Sequence, residues 1–536
     1  MIKSYLQSAY RNLLKHKGAT LIKLAGLGIG MACCMLILVY LVDELSYNKF
    51  NVHYRDIYRV NFNKAGEGQE NINATTPFPV GPAIAQNIPQ AAAVARLYNR
   101  SGIMEAAGNG QEQKFQEQGV WFSDSSLLDI FSLQFAEGGP GALAAPNSVV
   151  ITTEMAKKYF GAISARGKSL LYENKTLLQV TAVVEKLPAA SDLQFDFLIS
   201  FPTVYSVENK ANGDFMRSNW LYNPAETYVL LQPGQQAEAL QPALRQLTKK
   251  YGDERVAKSY FLSLQPLSEI HLHAAAVQGN PSTNSITYIY IFAAIALLIL
   301  LIANINFINL SNAQSLTRIS EIGIRKVSGA GSRQLLMQFL GEGLLLSFAA
   351  FLLALLITLP GLSLLNNITG KTLNTAALYN AKTLVVFTGL FLCTGLLGGL
   401  YPAVFITRFR LTALLKGKTG YRAGGRPVRQ LLVITQFAVA LALIIGAVVI
   451  NRQLQFLRNK PLGFQKDQLL VIPLFGKSPS LLGSGVDGPL RARMNAFEDE
   501  LRRYSRVDAV TLASVLPGSS YVRGLVIPEG HKEQDN

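Results

Sequence analysis

Residues 24–42 read LAGLGIGMACCMLILVYLV, nineteen positions without a charge. A helix needs about 20 apolar residues to cross the hydrocarbon of a bilayer, so this run is long enough to span one. It is too long for the apolar stretch of a removable leader, and its flank lacks a small-residue cleavage signal. It reads as a retained anchor that also directs export of the residues C-terminal to it. Four further runs share the pattern, at Tyr288 to Leu310, Gly343 to Leu359, Thr383 to Thr407 and Gln430 to Ile450. A chain of 536 residues that is 49% hydrophobic and only 16% charged, with mean hydropathy +0.22, is too apolar for an ordinary soluble enzyme. The expected fold is that of a membrane protein. It is an α-helical transmembrane bundle of about five spans, with a large α+β domain between the first and second.

The distribution of charge sets the orientation. Segments 1–23, 312–334 and 406–429 hold sixteen Lys and Arg against the single acid Glu321. Basic residues collect on the cytoplasmic side of membrane proteins, so these segments, the N-terminus included, are expected there. They carry nearly all of the net charge of +16. No basic surface is left over for nucleic acid. All three cysteines, Cys33, Cys34 and Cys393, fall within expected spans, so the exported part has no disulfide framework.

Between the first two spans the chain turns to mixed patterning with turn signals. NSVVIT (147–152), LLQVTAVVE (177–185) and ETYVLLQ (226–232) read as strands, while TEMAKKYFG (153–161) reads as a helix with Met155, Tyr159 and Phe160 on one face and a glycine stop. The expected domains are 1–42, N-terminus and first span; 43–285, exported α+β domain; and 286–407, spans two to four. A basic linker at 408–429, the fifth span at 430–451 and the start of a second exported domain at 452–536 complete the plan. The basic lead RPVRQ before the fifth span echoes RNLLKHK before the first, so the plan starts again. Three more spans would complete the repeat beyond Asn536.

Signatures of chemistry are few. GAISARGKS (161–169) sets its first glycine one place too far from GKS for a P-loop, and no HExxH or GxSxG sequence occurs. His271 and His273 would share one face of a strand, but no cysteine or third histidine stands nearby in sequence to complete a metal set, so ordinary polar roles are favoured. Neither catalysis, a resident cofactor nor a metal is expected. The spans offer packing features. Gly26 and Gly30 form one GxxxG, Gly395 and Gly399 another, which lets helix backbones approach closely. Asn304, Asn306 and Asn309 lie near the cytoplasmic end of the second span. Glu342 lies about 13 Å along a helix from Arg333, and a carboxylate there should meet a polar partner.

The stretch RISEIGIRKVSGAG (318–331) separates the second and third apolar runs. As a helix it places Arg318, Glu321 and Arg325 on one face, with Glu321 and Arg325 in the favourable order, and Ile319 and Ile322 on another. Gly329 and Gly331 break it, and Ser332 is placed to cap the next helix. Two readings stand: a solvated loop that fixes topology, and a docking helix that passes force from a cytoplasmic partner to two membrane helices.

EIGIRKVSGAGSRQLLMQFLGEGLLLS (321–347) resembles the segment after the second membrane helix in ABC transporter permeases of the MacB/FtsX type. NSVVITTEMAKKYFG, then GKSL, then VTAVVE resemble the course of that family's periplasmic core domain, and LQPLSEIHLH (264–273) resembles its return to the membrane. The resemblance covers essentially the whole chain. It implies a multi-pass permease of the bacterial inner membrane whose first two spans carry a periplasmic domain. Its cytoplasmic surface would engage a separate ABC ATPase that binds the ATP, and closure of that ATPase would reshape the periplasmic domain, a mode called mechanotransmission. A permease dimer or pseudo-dimer and a periplasmic adaptor are implied as partners. Carried to the matching positions, Arg318, Glu321, Arg325, Lys326 and Gly329 become the coupling candidates. The expected cargo is an exported or released peptide, drug or lipoprotein. The rival from another class is a membrane sensor whose exported domain binds a ligand and whose 318–331 helix contacts a regulator.

Overall fold

The computed structural model describes residues 17–65, 71–107, 114–161, 164–208, 210–273, 277–278, 284–317, 324, 331–373, 375–407, 426–461, 468–472 and 488–513. Five helices are long and apolar enough to cross a membrane: Lys17–Glu44, Ile286–Thr317, Ser332–Thr369, Ala381–Thr407 and Arg426–Asn459. Each contains one of the apolar runs and extends past it, because polar flanks continue a helix once the apolar stretch has nucleated it.

The first four helices pack together through Leu27, Met31, Met35, Phe307, Ala350, Ala354 and Phe387, all nearly inaccessible. Large side chains such as Met31, Met35, Phe307 and Phe387 interlock there with Ala303, Ala350 and Ala354, whose small size lets the helices approach closely. Ser347 and Thr394 add a hydroxyl pair at 2.6 Å between the third and fourth helices. The fifth helix rests on the second and leaves its apolar window unburied. It runs straight to Asn459, so NRQLQFLRN (451–459) is helical, whereas the first helix ends at Glu44 and its counterpart enters turns at Leu45.

The α+β domain lies between the first and second membrane helices. Its strands among the described residues are β1 (Ile57–Lys64), β2 (Asn71–Asn73), β3 (Ala91–Asn99), β4 (Gly102–Ala106), β5 (Lys114–Glu117), β6 (Val120–Ser123), β7 (Phe135–Glu137), β8 (Ser148–Thr152), β9 (Ser169–Tyr172), β10 (Thr176–Val184), β11 (Phe197–Ser200), β12 (Glu226–Leu231), β13 (Tyr260–Pro266) and β14 (Val277–Gln278). They form one mixed sheet in the order 14-2-1-12-3-6-11-8-10-9-4-5, with β13 on β1 and β7 on β10. Every residue of β8 and β11 is buried, the pattern of strands covered on both faces.

The helix Thr153–Phe160 follows β8 directly. Thr152 accepts from Met155 N at its start, and Gly161, at φ +68°, ends it in the left-handed conformation that glycine adopts without strain. Its buried face is Thr153, Ala156 and Tyr159; Met155 and Phe160 are half-buried, which corrects the expected stripe by about one position. The expected cap also moves. Gly331 is the N-cap of the third membrane helix, and the side chain of Gln334 accepts from its N–H at 3.3 Å. Ser332 is the first helical residue.

Residues 474–536 form a separate unit whose described helix is Gly488–Arg502.

Candidate functional site

The most highly charged buried cluster on the described chain sits where the first membrane helix meets the α+β domain. Alternation of helix direction brings three chain segments to one end of the bundle: the end of the first helix, the approach to the second, and the connection after the third. Each contributes polar groups. Asp43 and Glu44 finish the first helix, Asn284 precedes the second, and Lys371 follows Gly370, which ends the third at φ +68°.

Lys371 Nζ lies 2.5 Å from Asp43 Oδ2 and 2.6 Å from Glu44 Oε1. Glu44 Oε2 accepts from His271 Nε2 at 2.7 Å and from Asn284 Nδ2 at 2.7 Å. The other ring nitrogen, His271 Nδ1, lies 2.8 Å from Asp192 Oδ1. Asn48 then fastens Asp192. Its amide donates to Asp192 Oδ2 at 2.7 Å and to Leu267 O at 3.1 Å, while its side-chain oxygen accepts from Asp192 N at 3.0 Å. Asn48 holds φ at +61°, a conformation asparagine tolerates better than most residues. Tyr47 stacks on the His271 ring with centroids 3.4 Å apart and planes 11° from parallel. Beside the charges, Leu41, Leu272 and Ile289 form an apolar pad joining the first helix, the end of the α+β domain and the second helix.

Burial gives these contacts weight. Glu44 is 1% and His271 6% exposed, so little water screens them. Burial alone would lower the His271 pKa, but the hydrogen bonds to Asp192 and Glu44 outweigh it and raise it above the usual value. Lys371 is likewise held protonated against burial by Asp43 and Glu44. Burial pushes the Tyr47 hydroxyl upward. Glu44 terminates a continuous 28-residue helix, and its carboxylate is bonded to His271 at the base of the domain.

The paired-histidine expectation is corrected here. Residues Leu267–Ile270 form a helical turn, not a strand; His271 turns inward between two carboxylates while His273 stays exposed. A lysine also enters the cluster, and no group able to hold a metal ion occurs among the described residues.

The glycine candidates lie at helix contacts. A Cβ on Gly30 would come 2.7 Å from Ala303 Cβ, and one on Gly26 3.2 Å from Asn306 Nδ2, both on the second helix. Gly395 and Gly399 face the third helix at Leu344 and Leu340, and a Cβ on Gly343 would meet Gly399 Cα at 2.8 Å. At the opposite end of the first helix from Glu44, Lys23 is 4% exposed and donates to Gln314 Oε1 at 2.5 Å, a tie to the second helix that sequence reading missed. Asn304 is buried and donates to Leu300 O at 3.0 Å; Asn309 is half-buried. Glu342 is half-buried and accepts from Gln338 Nε2 at 3.3 Å within its own helix. Arg318, Glu321, Arg325, Lys326 and Gly329 lie outside the described residues.

Residues 20–247 match the family model of the MacB-like periplasmic core domain, and residues 293–411 that of the FtsX-like permease C-terminal. The pyoverdine export ATP-binding/permease protein PvdT of Pseudomonas syringae pv. tomato is 25% identical over 413 residues, which cover 74% of this chain and 57% of that protein. The macrolide export ATP-binding/permease protein MacB of Bdellovibrio bacteriovorus is 26% identical over 254 residues, or 47% of this chain and 36% of that one. The periplasmic region of MacB from Actinobacillus actinomycetemcomitans, a crystal structure, is 16% identical, with 40% of this chain and 90% of that chain covered at a TM-score of 0.29. The chain spans about 57% of the length of PvdT. With the first match spanning the first apolar helix and the α+β domain, and the second the helices that follow, the chain joins a MacB-like periplasmic core domain to an FtsX-like permease C-terminal region, the domain pair of MacB/FtsX-type permeases.

Proposed function

We propose that the chain is the membrane subunit through which a separate cytoplasmic ATPase, which binds the ATP, moves the periplasmic domain to export or release a substrate. One observation carries this reading: the first membrane helix runs without a break from Lys17 to Glu44, and its final carboxylate is bonded to His271 and Lys371 at the base of the domain. A displacement of that helix is therefore felt where the domain begins. The basic excess at segments 1–23, 312–334 and 406–429 supports a cytoplasmic N-terminus.

In this account Arg318, Glu321, Arg325, Lys326 and Gly329 form the contact with the ATPase, and the chain acts as a dimer or pseudo-dimer with a periplasmic adaptor. The export named for PvdT and MacB favours a small exported molecule, with peptide and lipoprotein cargo as the other classes to test. The test is co-purification with candidate ABC ATPases and ATPase stimulation, before and after Glu321→Lys with Arg325→Glu. Loss of binding and stimulation is expected. Binding and stimulation that survive the double reversal would refute the assignment of that contact.

A further inference from the structure

We propose that the junction is a proton-operated latch: it locks the periplasmic domain to the membrane helices while His271 carries two ring protons, and loosens when one is lost. This rests on the coupling reading above and names how that site would be regulated.

Geometry carries the proposal. Both ring nitrogens face carboxylate oxygens, Nε2 to Glu44 at 2.7 Å and Nδ1 to Asp192 at 2.8 Å. A neutral imidazole donates from one nitrogen only, so both contacts are satisfied only by the imidazolium. Removing a proton turns one contact into two facing lone pairs in a site nearly closed to water.

The groups facing His271 come from every packed segment. Asp43 and Glu44 come from the first membrane helix, Tyr47 and Asn48 from the turn after it, Asp192 from the loop before β11, Asn284 from the approach to the second helix, and Lys371 from the end of the third. Protonated, the cluster sets Lys371 and His271 against three carboxylates. Deprotonated, the cluster keeps Lys371 as its cation, bonded to Asp43 and Glu44. Asn284 Nδ2 stands 3.3 Å from Nε2, ready to donate to the bare nitrogen. The neutral ring then has a second hydrogen-bond arrangement to switch to, one in which Glu44 is less firmly held.

The direction follows from linkage. The pKa of His271 is raised in the closed junction, so the stabilisation is complete below the free value of about 6.5 and is lost as pH rises through the raised value. The junction therefore reads the pH of the periplasmic side.

The test is hydrogen–deuterium exchange on the whole chain in detergent micelles without any ATPase, at about pH 6 and about pH 8.5, corrected for the intrinsic rate. Peptides covering 43–51, 189–195 and 267–273 should open more at the higher pH, by up to about tenfold per pH unit within the window, while β8 stays protected at both. His271→Gln should abolish the dependence. Where that variant fails to fold, Asp192→Asn should move the onset of loosening to lower pH, because one acceptor holding the proton is gone. Equal protection of the wild-type junction at both pH values would overturn the latch. So would a dependence that survives His271→Gln, or an onset that Asp192→Asn leaves in place. Because no ATPase is present, such a failure removes the latch and leaves the coupling reading to be judged by its own binding assay.

Discussion

His271 Nε2 lies 2.7 Å from Glu44 Oε2, joining residues 227 positions apart, one ending a membrane helix and the other at the base of the periplasmic domain. Replacing Glu44 with Gln leaves Lys371 and His271 with one carboxylate fewer in a desolvated site. We expect a loss of about 2 to 4 kcal/mol, seen as a lower thermal unfolding midpoint of the detergent-purified chain. A midpoint unchanged by this substitution would mean that the buried pair adds nothing.

Gly30 and Gly343 sit where any side chain meets a neighbouring helix, at Ala303 and Gly399 respectively. Gly30→Leu and Gly343→Leu should each cost about 1 to 3 kcal/mol by overpacking and lower the folded yield in membranes. Gly389→Leu is the control, since nothing lies within 4 Å of a Cβ there; its yield should match the wild type.

Lys23 is buried against the second helix and bonded to Gln314. Lys23→Met keeps the stem and removes the ammonium, leaving the Gln314 carbonyl without this donor. A double-mutant cycle with Gln314→Leu should return a coupling of about 1 kcal/mol. A coupling near zero would mean that the bond is not formed in solution.

Gly161 closes its helix at φ +68° in open space. Gly161→Ala should therefore destabilise the periplasmic domain by about 1 kcal/mol through backbone strain alone, and Gly161→Asn by less. Urea unfolding followed by circular dichroism distinguishes the two.

What could be read from sequence was what neighbouring residues decide. The membrane helices declare themselves by length and hydropathy, and NSVVIT followed by TEMAKKYFG shows its strand, cap and glycine stop within fifteen residues. The junction was not legible in that way. Asp192 lies 79 positions before His271, and Lys371 lies 328 after Asp43, so no local spacing links them. SEIHLH looked like a strand because its alternation mimics one; the turn at Leu267–Ile270 instead tucks Leu267 and Ile270 into the core of the α+β domain. Topology did hold one signal. The end of the first span, the approach to the second and the end of the third must share a side of the membrane, which places Asp43, Glu44, His271 and Lys371 together.

The central claim is that movement of the first membrane helix reaches the periplasmic domain through Glu44. The most direct measurement is the ATP-dependent change in distance between spin labels at Leu177, an exposed residue of β10, and Thr372, beside Lys371, in the chain reconstituted with its ATPase. In the wild type the distance should change on ATP binding. In Glu44→Ala the ATPase should still hydrolyse ATP while the distance change is lost. A full distance change in Glu44→Ala would contradict the account.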